Sequence, residues 1–163
     1  DDSVIVEYLE EAFPETPMIG TELSKKVETR RLMFWFDKKF YMEVSYPLFV
    51  AKIIHRFSRD SYVHSPNSQT LRTAKKALDY HLHYITWLTE RRNWLSGDDF
   101  SLSDITAAAH ISMVDYFGDI MWERHPHAKA WYVRVKSRPS FRAFLNDKVP
   151  GFLPEPHYGE LDF

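Results

Sequence analysis

The stretch Phe100-Ser101-Leu102-Ser103-Asp104-Ile105 decides the fold of this chain. Ser101 has a side-chain oxygen that can accept hydrogen bonds from the free amides at a helix start, and Asp104 lies three residues later, where its carboxylate can reach back to the Ser101 amide. Phe100 and Ile105 flank this capping box at the spacing of a hydrophobic staple. The Asp104 carboxylate also suits the positive end of the helix dipole. The stretch therefore predicts a helix that begins at Ser101.

The residues after this start predict the central helix of a helical core. Three consecutive small residues, Ala107, Ala108 and Ala109, allow neighbouring helices to approach closely. The helical pattern continues to Phe117, and Gly118 is a residue type that commonly ends a helix. We expect the segment 107–116 to be buried at the centre of the domain.

Apolar residues spaced by three and four predict further helices on both sides of this centre. They cover residues 3–12, 21–46, 69–94, 126–138 and 140–145, with an apolar continuation over 48–57 after Pro47. Pro47 is expected to kink the helix or to begin a new segment, because its ring removes a hydrogen bond and clashes one turn back. Residues 58–68 read as a polar loop. With 5 glycines and little β alternation, the chain predicts an all-α bundle of about five main helices.

Composition and charge exclude several classes of protein. A chain of 163 residues fits one compact domain, and its lack of cysteine excludes disulfides, thiolate metal sites and a cysteine nucleophile within it. Lys plus Arg number 21 against 23 Asp plus Glu, and this net charge of −2 disfavours a nucleic-acid partner. No apolar run has the roughly 18 to 20 residues of a membrane helix. We expect a soluble cytoplasmic protein and, because the chain opens on Asp1-Asp2-Ser3 without Met, a piece of a longer one.

The histidines do not predict a metal site. His81 and His83 are two residues apart on a predicted helix, so their side chains point to nearly opposite faces and cannot bind one ion together. His125 and His127 flank Pro126, and no third ligand follows at a recognisable spacing.

A hydrolytic site is not predicted either. Ser101 and Ser103 with Asp104 and His110 are residue types of a hydrolase triad, but nothing resembles a nucleophile elbow, and the capping box accounts for the Ser–Asp pair. The aromatic residues of the 21–46 helix leave two interpretations open, since such a stripe either fills the core or lines an apolar pocket.

Motifs in a fixed order along the chain resemble the glutathione S-transferase superfamily. They are the Asp2-Ser3 helix start, the Pro17-Met18-Ile19-Gly20 connector, the capping box, and an ending with Pro126, Trp131 and Arg138-Pro139-Ser140. The resemblance covers essentially the whole chain. It implies four parts: 1–13 as the last helix of a thioredoxin-like domain that is otherwise missing here, 14–20 as a linker, 21–146 as the all-α C-terminal domain, and 147–163 as a tail.

The resemblance also implies ligand-binding residues. In the family, an acidic residue or Gln followed by Ser holds the γ-glutamyl end of glutathione at a helix start, which maps to Asp2 and Ser3, although Asp2 is shorter than the usual Glu. The implied hydrophobic substrate site contains Phe34, Lys38, Tyr41 and Tyr116. The thiol-activating residue of the family lies in the thioredoxin-like domain, so no catalytic residue is assigned in this chain. No cofactor is implied other than glutathione itself, as substrate or ligand.

The end of the chain carries a narrower resemblance. The segments 134–142, Pro150-Gly151 and 157–163 are similar to alphaproteobacterial glutathione-transferase-like proteins that bind the division protein FtsZ. Aromatic, aliphatic and acidic residues alternate in the tail and suit docking on a partner: Tyr158, Glu160, Leu161, Asp162 and Phe163. The alternative is that the tail folds back on its own domain.

The resemblance leaves two functions open. The first is an adaptor whose helical domain and tail bind a protein such as FtsZ. The second is a transferase that adds the glutathione thiolate to an electrophile. In either case the family resemblance implies a homodimer, because the family pairs its two halves across a twofold axis.

Overall fold

A computed structural model describes residues 2–57, 67–161 and 163, with only the backbone of Asp2. The described residues form α1 (Asp2–Ala12), α2 (23–57), α3 (Ser68–Thr89), α4 (Leu102–Tyr116), α5 (Pro126–Lys136) and α6 (Pro139–Phe144). Short 3₁₀ turns cover Trp122–Arg124 and Pro156–Gly159, and none of the described residues lies in a β-strand. The predicted all-α fold class is confirmed. Most of the predicted 58–68 loop lies outside the described residues.

Helix α4 is the centre of the core, as the run of small residues predicts. Ala107, Ala108, Ile111 and Val114 are fully buried on it, whereas Ala109 is exposed, so the predicted burial does not extend to that alanine. Helices α2 and α5 pack against α4, and α3 packs against α2 and α5. The small side chains let these helices approach closely, which is the packing that the sequence indicates.

Helix α2 runs across Pro47 without a break. Its turns at Leu23–Phe34, Tyr46–Phe49 and His55–Phe57 are α-helical, and those at Trp35–Ser45 and Val50–Ile54 are π-helical. A π turn moves the hydrogen bond from residue i−4 to residue i−5. The wider turns before Pro47 accommodate a ring that has no N–H to donate and that collides with an ordinary α turn. The helix therefore continues through Pro47 with a change of helix type, and no new segment begins there.

Helix α3 ends at Thr89 instead of near Trp94. The Trp94 amide donates to the Gly97 carbonyl at 2.8 Å, and the Gly97 amide donates back at 3.2 Å. The guanidinium of Arg92 donates to the Leu95 carbonyl at 2.8 Å and to a Glu28 oxygen at 2.7 Å. These bonds satisfy the backbone in a turn, so the helix does not need to continue.

Helix α1 is joined to the bundle by its acidic residues and leaves its apolar residues exposed. The Glu7 carboxylate pairs with Arg30 at 2.9 Å, and Glu10 accepts from the Met18 and Ile19 amides at 2.7 and 3.1 Å. The exposed apolar side chains of the segment are Val4, Ile5, Tyr8, Leu9 and Phe13. No helix in the described part of the chain is long and apolar enough to span a bilayer. The domain boundaries near 13, 20 and 146 stay predictions.

Candidate functional site

Asp104 is fully buried at the start of α4, and its carboxylate is surrounded by donors. Oδ1 accepts from the Leu95 amide at 3.0 Å and from the Trp131 indole N–H at 2.8 Å. Oδ2 accepts from the Ser101 amide at 3.0 Å and the Ser101 hydroxyl at 3.1 Å, and the two residues form a capping box. Burial raises the pKa of the Asp104 carboxyl, and these hydrogen bonds oppose the rise. Asp104 therefore holds the fold together and offers no open position to a substrate.

The two residues of the predicted staple have separate surroundings. The Phe100 ring makes an edge contact with Trp94 at a centroid distance of 4.9 Å, and the Arg138 guanidinium lies 3.8 Å from its centroid. Ile105 is 40% exposed. Direct contact between Phe100 and Ile105 stays a prediction, and Phe100 connects the start of α4 to Arg138, the residue before α6.

The predicted hydrophobic substrate site is divided by the fold. Phe34 and Tyr41 are 66% and 41% exposed on α2, and Lys38 is exposed between them. Phe36 and Phe40 of the same helix are fully buried. The core interpretation is confirmed for Phe36 and Phe40, and the pocket interpretation stays a prediction for the residues on the open face.

Tyr116 is buried, unlike the other three residues of the predicted substrate site, and its role toward a substrate stays a prediction. Its side chain is only 6% exposed. Its hydroxyl donates to the Phe152 carbonyl at 2.7 Å and accepts from the Val149 amide at 3.0 Å. These two hydrogen bonds anchor the tail to the end of α4. The tail also covers the Tyr116 ring, which the resemblance assigns to a substrate site.

A network that the sequence does not predict lies behind the open face of α2. Ser45 Oγ is 3.0 Å from His110 Nδ1, and His110 Nε2 is 3.3 Å from Asp37 Oδ1. In a serine hydrolase the serine bonds to Nε2 and the aspartate to Nδ1, so the roles here are reversed. Ser45 is also buried. The network cannot supply a nucleophile, and it fixes α2 to α4 near Tyr41, whose ring is 6.2 Å from that of His110.

A second buried network fixes α2 to α3. The Trp35 indole N–H donates to His81 Nδ1 at 3.0 Å, which leaves His81 Nε2 to donate to Glu43 Oε2 at 3.0 Å. Glu43 also pairs with Lys39. Burial lowers the pKa of the fully enclosed His81, so the imidazole is neutral. The hydrogen bonds are therefore donated in one order, from Trp35 to His81 and from His81 to Glu43. Residues this far apart in sequence share no local spacing, so sequence patterns could not reveal either network.

The C-terminal tail folds back on its own domain at its aromatic residues. Tyr158 is buried, and its hydroxyl lies 2.8 Å from the Ser112 hydroxyl on α4. Leu161 and Phe163 pack against the core. Glu160 is exposed, and Asp162 lies outside the described residues. Of the two alternatives for the tail, the structure favours the folded-back arrangement for the apolar side chains and leaves Glu160 on the surface.

Phe163 is held by rings and cations. Its ring stacks on His157 at a centroid distance of 5.0 Å and makes an edge contact with Trp122 at 5.7 Å. The ammonium groups of Lys136 and Lys129 lie 4.2 and 4.6 Å from its centroid. Cation–π contacts are attractive at these distances, so they stabilise the position of Phe163 against α5.

A buried carboxylate lies under this end of the tail. Asp115 Oδ1 is 2.8 Å from His157 Nε2 and accepts from the Trp122 indole at 2.8 Å. The Lys136 ammonium is 3.9 Å from the other oxygen, and both side chains are fully buried. Burial lowers the pKa of Lys136, and the charge of Asp115 opposes that change. We call this group of side chains the tail cluster. It consists of four tail residues and their partners in the domain: His157, Tyr158, Leu161 and Phe163, with Ser112, Asp115, Trp122, Lys129 and Lys136.

The predicted glutathione residues lie at the first turn of α1. Ser3 is exposed there, and the side chain of Asp2 lies outside the described residues. Their role toward glutathione stays a prediction.

Comparison with known proteins identifies a family. The model of the glutathione S-transferase C-terminal domain matches residues 41–139. FtsZ-localized protein A from Caulobacter vibrioides is 44% identical over 159 residues, which cover 98% of this chain and 68% of that protein. The chain belongs to the glutathione S-transferase family.

Solved structures of glutathione S-transferase-like proteins match the whole chain. A glutathione S-transferase from Rhodospirillum rubrum F11 is 45% identical with a TM-score of 0.93, covering 100% of this chain and 72% of that one. FzlA from C. crescentus is 44% identical with a TM-score of 0.91, covering 98% of this chain and 69% of that one. The resemblance found in the sequence motifs is confirmed.

The family model and these relatives cover different lengths of the chain. The model match ends at residue 139, whereas the similarity to FtsZ-localized protein A covers 98% of the chain and so extends into α6 and the tail. The similarity to FtsZ-localized protein A thus extends beyond the residues that the general family model matches.

Proposed function

We propose that this chain is the helical part of a glutathione-transferase-like adaptor that associates with FtsZ polymers in the cytoplasm. The observation that carries the proposal is the 44% identity to FtsZ-localized protein A over nearly the whole chain, including residues beyond the general family domain. The exposed side of the folded tail, which we call the tail surface, supports the proposal, because the tail cluster fixes the tail in one conformation. A preformed surface binds with a smaller loss of conformational entropy than a free peptide does.

In this proposal the partner contacts the folded tail surface through its exposed residues. The apolar side chains of Tyr158 and Phe163 are occupied within the domain, so they shape the surface. Glu160 is exposed and contributes charge to it. Charged groups at such a rim change association rates and salt dependence more than they change the fold.

Charge reversal tests this surface. In the complete natural protein, Glu160→Lys is expected to weaken co-sedimentation with FtsZ polymers, with the larger effect at low salt. Asp98→Lys is the matched control, because Asp98 is exposed in the turn before α4 and the tail lies at the opposite end of that helix. Equal binding by both variants would reject the tail surface, and loss of binding by both would indicate a general charge effect.

A transferase activity is the second candidate function. It is favoured by the 45% identity to a Rhodospirillum rubrum glutathione S-transferase and by the exposed Phe34, Lys38 and Tyr41 on α2. In this case glutathione is bound near Asp2 and Ser3, and the protein acts as a homodimer. An assay of the complete protein with glutathione and an aromatic electrophile separates the functions, because an adaptor without catalysis gives no conjugate and still sediments with FtsZ.

A further inference from the structure

Three side chains with metal-binding atoms meet between α3 and the start of α5. Asp79 and His83 are four residues apart on α3 and lie on one face, and His125 precedes the first residue of α5. One ligand atom from each lies within 4.8 Å of the others. Asp79 Oδ1 is 3.0 Å from His125 Nε2.

His83 is held in an orientation that suits a ligand. Its Nδ1 lies 2.7 Å from the backbone carbonyl of Asp79, so Nδ1 carries the hydrogen and donates it. Metal-binding histidines commonly donate their second ring N–H to a backbone carbonyl, which fixes the tautomer. The Nε2 atom keeps its lone pair, and 62% of the side chain is exposed to solvent. An ion can therefore reach this nitrogen from solution.

His125 is the buried member of the cluster. It is 2% exposed, and its Nδ1 is buried with no hydrogen-bond partner among the residues that the structure describes. Its Nε2 is the nitrogen that faces Asp79, at 3.0 Å from Oδ1, so an ion shared with that carboxylate would bind Nε2. The rings of His83 and His125 already lie 4.8 Å apart, centroid to centroid.

We infer that Asp79, His83 and His125 form a binding site for a divalent transition-metal ion such as Zn²⁺. Two imidazole nitrogens and one carboxylate suit Zn²⁺ and its neighbours, whereas Ca²⁺ and Mg²⁺ prefer sets of oxygen ligands. Three protein ligands leave a fourth position for water, as in open zinc sites. The sequence motifs could not reveal the site, because the fold pairs His83 with His125 and not with His81 or His127.

Arg124 provides a test that distinguishes a metal site from a purely structural cluster. Its Nη1 lies 3.4 Å from Asp79 Oδ1 and competes with an ion for the carboxylate, and 53% of its side chain is exposed. Removing this competing charge is expected to strengthen metal binding. A cluster that is only structural would show no such gain.

The experiment is calorimetric titration of ZnCl₂ into the tag-free, chelator-treated complete protein at pH 7.5. We expect one ion per chain at this site, a loss of about tenfold or more in affinity for His83→Ala, and a gain for Arg124→Gln. His127→Ala is the matched control, since His127 is 55% exposed beside the cluster and pairs with Glu90. Far-UV circular dichroism confirms that each variant folds, and the exposed position of His83 makes that variant the safest one.

Three results would overturn the inference. They are no Zn²⁺ binding by the wild-type protein, equal losses for His83→Ala and His127→Ala, and equally tight binding of Mg²⁺. His125→Ala is a further variant, and its loss of binding with retained circular dichroism would support the inference.

Discussion

Trp131 donates its indole N–H to Asp104 Oδ1 at 2.8 Å, and the same carboxylate closes the first turn of α4. One buried group thus fixes the central helix and connects it to α5. The residues are 27 positions apart, so the bond is a tertiary contact built on a local capping motif.

Asp104→Ala is expected to lower the free energy of unfolding by about 3 kcal/mol. It removes the cap and leaves the buried donors of Leu95, Ser101 and Trp131 without an acceptor. Each unsatisfied donor costs roughly 1 to 3 kcal/mol before the surrounding structure relaxes, and relaxation reduces the sum. Trp131→Phe removes a single bond and should cost about 1 kcal/mol. Urea denaturation followed by circular dichroism measures both. An unchanged midpoint for Asp104→Ala would show that the carboxylate does not hold the helices together.

Acid should weaken the protein through Glu28. The hydrogen bonds from Arg31 and then from Arg92 lower the pKa of Glu28 to about 2 from its ordinary 4.5. Because the folded-state pKa is the lower one, the unfolded chain binds more protons between these values. The stability from Glu28 is complete above pH 4.5 and is lost as the pH falls toward 2.

Glu28→Gln checks this dependence. The difference in unfolding free energy between wild type and variant should be largest near pH 6 and should shrink between about pH 4.5 and 2. Glu15→Gln, at an exposed position of the connector, serves as the control. A difference that stays constant over this range would contradict the assignment to the Glu28 carboxylate.

Gly118 lets the chain turn after α4 and lets the tail approach. Its φ is +71°, and a Cβ at this position would lie 2.4 Å from Glu155 Cγ. Gly118→Ala should therefore destabilise the protein by about 1 to 2 kcal/mol from backbone strain, and the Glu155 side chain must move to make room for the Cβ. Gly159→Ala is the control, because a Cβ there meets no atom of the described residues within 4 Å. Equal thermal midpoints for the two variants would contradict the prediction.

The apolar face of α1 should make the 163-residue chain self-associate. Ile5 and Tyr8 are 58% and 68% exposed, and contiguous apolar surface of this kind promotes association. The double variant Ile5→Ser, Tyr8→Ser should reduce association in analytical ultracentrifugation. Leu153→Ser is the control, because it removes an apolar side chain that is 79% exposed elsewhere. A monomeric chain with slow amide exchange over 4–9 would contradict this expectation.

Local patterns predict the start of α4, its buried small residues and the all-α class, because these features depend on neighbours within a few residues. Short-range rules also suggest a boundary at Pro47, but the bundle keeps α2 continuous by widening its turns. The end of α3 is misplaced for a similar reason, since the Arg92 side chain and the Trp94 backbone find partners outside the helix.

The candidate site depends on contacts that local patterns do not contain. Tyr116 matches a substrate-lining position by resemblance, yet the tail covers its ring and binds its hydroxyl. The His110 network and the cluster around Asp79 join residues from different helices. Composition identifies such residues as polar or aromatic, but only the packing of the helices decides which of them meet.

Co-sedimentation of the complete natural protein with purified FtsZ polymers tests the adaptor function most directly. We predict saturable recovery of the protein in the pellet with the polymers, and in the supernatant when FtsZ is omitted. A protein that stays in the supernatant with FtsZ polymers at every concentration, yet binds glutathione and conjugates an electrophile, would contradict the adaptor function and leave the transferase.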